Sequence, residues 1–140
     1  MHDSSSDRPV LADPLAAVQA PSGDQMCSYA VDLWTHHPTI LTDEAALKKV
    51  LREASEAGNA IVLAEASHVF PNGAVTIALV LSQSHLNIHT WPEHDLANVD
   101  LLTCGVLEGE VILEHVKRGL EASRTAVTRI TRDVTMEPPA

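Results

Sequence analysis

The sequence predicts an α+β fold, a two-layer sandwich in which a mainly antiparallel β-sheet carries two helices on one face. Three observations predict it. Runs of β-branched and small apolar residues recur between turn signals. Two other stretches carry apolar residues at helical spacing. The extended runs group between those helices instead of alternating with them one by one, which favours antiparallel pairing over a parallel βαβ order. The 140 residues suffice for one domain with its own core.

Residues 1–25 read as a flexible lead-in. Ser4 to Ser6, Pro9, Pro14, Pro21 and Gly23 interrupt any sustained period, although Val10 to Val18 would dock as a short helix. The domain is placed at 26–134. Cys27 to Thr35 reads as a strand with Ala30 and Asp32 on one face and Val31 and Leu33 on the other, ended by His36, His37 and Pro38. Thr42 is the expected N-cap of a helix in which Leu47, Val50, Leu51 and Ala54 repeat at helical spacing as far as Gly58. Ala60 to Phe70 and Ala74 to Ser82 are apolar runs joined by Pro71, Asn72 and Gly73, the chemistry of an antiparallel hairpin. In the strand Ser84 to Trp91, alternation sets His85, Asn87, His89 and Trp91 opposite Leu86, Ile88 and Thr90. Ala97 to Thr103 forms the next strand. A second helix runs from about Leu107 to Ala122, with acidic residues early and Lys117 and Arg118 late, as the helix dipole favours. Arg124 to Val134 is the last strand, and 135–140 a tail.

Composition narrows the function. Nine Lys and Arg against nineteen Asp and Glu give a formal charge of -10, which repels a phosphate backbone, so nucleic acid is not an expected partner. No stretch has the roughly 18 apolar residues of a membrane span. Two cysteines, Cys27 and Cys104, are too few for a disulfide framework, and Met1 to Asp7 lacks the basic start and apolar run of an export signal. A reducing, cytoplasmic setting is expected.

The densest cluster of chemically able side chains lies between Gln83 and Cys104, in a region otherwise apolar enough for a core. Spacing alone leaves several readings. His85, His89, His94 and Cys104 are metal-ligand types. Ser84 with a nearby histidine is a nucleophile and base, although no glycine-bracketed turn surrounds the serine. Polar groups on the open face of a sheet need no function at all.

The segment Ser84-His85-Leu86-Asn87-Ile88-His89-Thr90-Trp91-Pro92-Glu93, followed by Val99-Asp100-Leu101-Leu102-Thr103-Cys104-Gly105, closely resembles the signature of prokaryotic S-adenosylmethionine decarboxylases. Weaker resemblance extends from about Asp32 to the last strand. The resemblance implies a proenzyme that cuts its own backbone between Gln83 and Ser84. The Ser84 hydroxyl attacks the preceding carbonyl, β-elimination opens the resulting ester, and hydrolysis leaves a pyruvoyl group derived from Ser84. That group is the implied cofactor, with no metal or pyridoxal phosphate. It forms a Schiff base with the substrate amine and withdraws electrons from the bond to the departing carboxylate. By resemblance His89 is the processing base, a role suited to an imidazole because that side-chain type titrates near neutrality. Cys104 is the proton donor of the decarboxylation, and Thr76 matches a processing Ser or Thr. Phe70 matches the aromatic that stacks on adenine, Glu93 the carboxylate that holds the ribose hydroxyls, and Asp32 lies near an acidic position lining the site. The implied product is an aminopropyl donor for spermidine-type polyamines. The implied assembly is a homodimer of cleaved protomers that pair through their sheets, with sites completed across the interface.

The chain departs from the family pattern in places. Gln83 stands where Glu normally precedes the serine, and His94, Asp95 and Leu96 replace the usual aromatic, Gly and Tyr. The Phe-x-Pro-x-Gly turn is shortened to Phe70-Pro71-Asn72-Gly73, and the usual basic and His residues before the first strand are missing. Two alternatives follow: a same-fold pyruvoyl decarboxylase of arginine or ornithine, and an unprocessed, non-catalytic paralogue.

Overall fold

A computed structural model describes residues 25–82, 84–104 and 107–133. The lead-in short of Gln25 and the tail beyond Asp133 lie outside the described residues, as does the expected docking helix of Val10 to Val18. Six strands form one antiparallel sheet: β1 (Gln25–Thr35), β2 (Val62–Val69), β3 (Val75–Leu81), β4 (Ser84–Trp91), β5 (Leu96–Cys104) and β6 (Ala122–Asp133). Their order across the sheet is β2-β3-β4-β5-β1-β6. Two helices, α1 (Glu44–Ala57) and α2 (Gly109–Gly119), cover one face, which gives the expected α+β sandwich.

Alternation builds the core. Val31 and Leu33 of β1, Val75, Ile77 and Leu79 of β3, Leu86 and Ile88 of β4, and Val99 and Leu101 of β5 are buried against Leu47, Leu51, Ile112 and Val116 of the helices. Burying such side chains contributes about 1.5–3 kcal/mol each before entropy is counted. Thr90 is a polar exception and its hydroxyl is satisfied. It donates to the Leu41 carbonyl at 2.8 Å and accepts the Val75 N–H at 2.8 Å, pinning a 3-10 turn (Pro38–Thr42) to the sheet.

The sequence expectations shift at several boundaries. Asp43, not Thr42, caps α1, because its carboxylate accepts the Ala46 N–H at 3.0 Å while Thr42 closes the preceding turn. The second helix is shorter than Leu107 to Ala122, and β6 starts at Ala122. Ala60 to Phe70 is an apolar run in the sequence, yet β2 is an edge strand exposed along almost its whole length, with Leu63 63% exposed. Its helix-side residues are polar: Glu65 pairs with Lys48 and Arg52, and Ser67 donates to Glu44. The hairpin turn is as expected. Gly73 N–H donates to the Phe70 carbonyl at 2.9 Å, and Gly73 takes φ 91°, a conformation that disfavours any side chain.

The core also holds the chain's one tyrosine. Gly109 opens α2 so close to Tyr29 that a Cβ there would lie 2.7 Å from the ring. Burial, reinforced by the nearby Glu110 carboxylate, pushes the Tyr29 phenol up to about 12.

Candidate functional site

The helix-free face of the sheet is where the chemically able residues collect. Register fixes its layout. The row His68, Thr76, His89, Asn98, Asp32 and Ala126 crosses all six strands. One step along, Ala66, Ala78, Asn87, Asp100, Ala30 and Thr128 form the next row. Between the β4, β5, β1 and β6 parts of this face lies a groove of about 320 Å³ bordered by Ser28, His85, Asn87, Asp100, Thr128 and Arg132.

His89 stands in a defined setting. Its Nδ1 shares a hydrogen bond of 2.6 Å with Thr76 Oγ1, which faces it across the β3–β4 pair. The Phe70 ring lies edge-on at 5.7 Å on one side and the Trp91 ring at 4.7 Å on the other. The Phe70–Gly73 turn is what delivers Phe70 to this edge of the face, and His68 meets Phe70 at 4.7 Å from beyond. Glu93 lies on the exposed 3-10 turn Pro92–His94 that follows Trp91. Asp32 accepts a hydrogen bond of 2.7 Å from Asn98 Nδ2, and Asn98 Oδ1 accepts one of 2.6 Å from Trp91 Nε1.

Ser84 and Cys104 occupy the other end. Leu81 pairs with Ser84, so the chain passes from β3 to β4 through two residues, Ser82 and Gln83, of which Gln83 lies outside the described residues. Ser82 is held from the side, its N–H donating to the Ile61 carbonyl at 2.9 Å and its hydroxyl accepting the Ile61 N–H at 3.3 Å. Ser84 Oγ is buried and has no hydrogen-bond partner among the described residues, a costly state for a hydroxyl. The register that pairs His85 with Leu102 sets Thr103 opposite Ser84, with Cys104 next along β5. By alternation Ser84 belongs to the helix side with Leu86, and Cys104 to the open side with Leu102.

The expected site residues therefore fall into two groups. Phe70, Thr76, His89 and Asp32 come together with Trp91 and Asn98. Ser84 and Cys104 lie at neighbouring ends of β4 and β5, on opposite faces of the sheet, and five residues of extended strand put Ser84 about 16 Å from His89. Within one chain the two groups do not meet. Among the described residues, no three His, Cys, Asp or Glu side chains converge to hold a metal ion, so the alternative grouping of His85, His89, His94 and Cys104 is not formed. Sequence reasoning placed Trp91 on this face but missed Asn98. The alternation of Ala97 to Thr103 carries that signal, since it sets Asn98 and Asp100 together on the side of His89.

Residues 28–133 match the sequence model of the family described as S-adenosylmethionine decarboxylase. The chain is 44% identical over 75 residues to an S-adenosylmethionine decarboxylase proenzyme of Pyrobaculum islandicum, a match covering 53% of this chain and 60% of that protein. With the proenzyme of Brevibacillus brevis it shares 37% identity over 105 residues, 74% of this chain and 78% of that one. The chain thus spans less than two thirds of the length of the Pyrobaculum relatives it matches. Its fold is similar to the crystal structure of the adenosylmethionine decarboxylase from Aquifex aeolicus, with a TM-score of 0.70 over 85% of this chain and 99% of that chain at 22% identity, a likeness of fold alone. With the family model matched from β1 to the end of β6, the chain belongs to the S-adenosylmethionine decarboxylase family.

Proposed function

We propose that the chain is a self-cleaving, pyruvoyl-dependent carboxy-lyase that decarboxylates S-adenosylmethionine to an aminopropyl donor for polyamine synthesis. One observation carries the reading: the buried hydroxyl of Ser84, at the family's cleavage position, has no partner among the described residues. Buried side-chain hydroxyls are in the large majority of cases partnered. An unsatisfied hydroxyl beside the carbonyl of residue 83 suits attack on that carbonyl, and two hydrogen bonds between Ser82 and Ile61 hold the chain just before it.

The chain's own residues divide the work. Thr76 orients His89 through Nδ1, which leaves Nε2 to take the α-proton whose loss opens the ester. That His89 lies far from its own Ser84 supports a homodimer in which the uncovered sheets face each other, and the strand end that carries the 83–84 bond and Cys104 lies beside the partner's copies of His89 and Thr76. The uncovered face carries Trp91, Ile130 and Val80, each more than a third exposed, which suits burial against a second copy. Once formed from Ser84, the pyruvoyl group supplies an electron sink for loss of carbon dioxide from an amine-bearing substrate. Cys104 offers a thiol that can return the proton. Phe70 offers a ring face for adenine, and Glu93 a carboxylate for ribose hydroxyls. Asp32 lines the same face. The two buried thiols accord with a reducing, cytoplasmic setting.

Intact-mass measurement tests the reading. The expected result is a break between residues 83 and 84, with the downstream piece lacking an N-terminal amine and Ser84→Ala abolishing the break. Gln83, uncharged where the family carries Glu, favours a second reading as an unprocessed paralogue, and a chain that never splits would establish it. Carbon dioxide release from S-adenosylmethionine should exceed that from arginine or ornithine; equal release from either amino acid overturns the substrate.

A further inference from the structure

The hydrogen bonds across β4, β5 and β1 have a polarity that a side-chain carboxamide supplies. Trp91 Nε1 can only donate, and an ionised Asp32 carboxylate can only accept. Asn98 stands between them and offers one group to each: its Oδ1 accepts from Trp91 at 2.6 Å, and its Nδ2 donates to Asp32 at 2.7 Å. The three residues come from three neighbouring strands, with Asn98 in register with both Asp32 and His89. Beyond Trp91 the chain of contacts continues, since its indole packs edge-on against the His89 ring at 4.7 Å and 68°. His89 is thus held by the Thr76 hydroxyl at Nδ1 and flanked by the Phe70 and Trp91 rings, the indole being the nearer.

We propose that Asn98 is a positioning residue for self-cleavage: it locks the Trp91 indole to the Asp32 carboxylate, and the locked indole fixes the tilt of the His89 imidazole. The inference rests on the reading of His89 as the processing base. Asp32 thereby acquires a role as an anchor for Asn98, its carboxylate committed to the network on the sheet face. An anchored indole is a rigid wall, whereas an unanchored one turns about its side-chain torsions and lets the imidazole turn with it. A proton transfer depends steeply on such alignment.

The polarity argument gives a rescue experiment. Asn98→Asp sets two carboxylates against each other and should slow splitting at 83–84 by about tenfold. Adding Asp32→Asn reverses the polarity, because the carboxylate now at position 98 accepts both from Trp91 and from the amide now at position 32. The double variant should therefore regain most of the rate. Asn98→Leu breaks both links, and Asp32→Asn should not rescue it. A second readout works on uncleaved protein: in a Ser84→Ala background, the His89 ring and Trp91 indole N–H resonances should shift with Asn98→Asp and return in the double variant. Equal splitting rates for the unaltered and Asn98→Asp chains, or no recovery in the double variant, overturn the inference. If no chain splits at all, the self-cleavage reading falls, and unmoved His89 resonances would then overturn the positioning as well.

Discussion

Along β4, Leu86, Ile88 and Thr90 lie buried beneath the helices, while His85, Asn87, His89 and Trp91 lie on the uncovered side. The same strand thus serves two ends, and the period of two keeps them apart. On the covered side the side chains are interchangeable in kind, mostly Leu, Ile and Val chosen for volume. On the uncovered side His89, Trp91 and Asn98 have specific partners: Thr76 for His89, Asn98 for Trp91, Asp32 for Asn98. A substitution on one side should therefore be read in stability and on the other in reaction. The expected site divides once more along the strands, since Ser84 and Cys104 sit at one end and Thr76 and His89 at the other.

The sharpest way to break that second division is complementation. Ser84→Ala and His89→Asn chains should each fail to split alone. Refolded together, the His89→Asn chain should split, since its 83–84 bond lies beside an intact His89 on the partner; failure to split would mean that each chain's site is self-contained. The division between faces predicts the next effect in size. Ile88→Ala should cost about 2–5 kcal/mol in denaturant unfolding through the cavity it leaves, while the adjacent His89→Asn should cost less than about 1 kcal/mol. Comparable losses would show that the uncovered side is also part of the folding core. The smallest effect concerns pH on the covered side. Tyr29 has its pKa raised to about 12 by burial, against an ordinary value of 10.0, so the folded state favours the neutral phenol. Its contribution to stability is complete below pH 10 and disappears as the pH rises through about 12. Because this is the chain's one tyrosine, phenolate absorbance reports it directly, and a midpoint near 10 would show that α2 does not cover it.

Local signals carried most of the fold. The alternations of β1 and β4 and the Phe70-Pro71-Asn72-Gly73 turn are set by residues adjacent in sequence, and they were legible. The cap moved by one residue because Thr42 and Asp43 are both competent, and only the backbone geometry chooses. The exposure of β2 was not legible. Its apolar residues resemble a central strand, and nothing in Val62 to Val69 says that the sheet ends there. Much the same holds for the site. Resemblance to a family named Ser84, His89 and Cys104, but the Asp32, Asn98 and Trp91 network depends on strands far apart in the chain coming into register.

The order β2-β3-β4-β5-β1-β6 has a consequence for a chain cut between β3 and β4. The upstream piece owns β1, β2 and β3, the downstream piece β4, β5 and β6, and the two are shuffled: β1 is inserted between β5 and β6, and β4 and β5 between β3 and β1. Neither piece keeps its three strands side by side. A break at that bond therefore frees nothing, because every seam between the pieces is sewn by backbone hydrogen bonds on the far side of the cut. It does change what the molecule can remember. An uncut chain that unfolds can search for its sheet within itself, whereas separated pieces must first find each other and then interleave in the right sequence. The mature protein would hold an arrangement inherited from its precursor, one that its two pieces are poorly equipped to reach again.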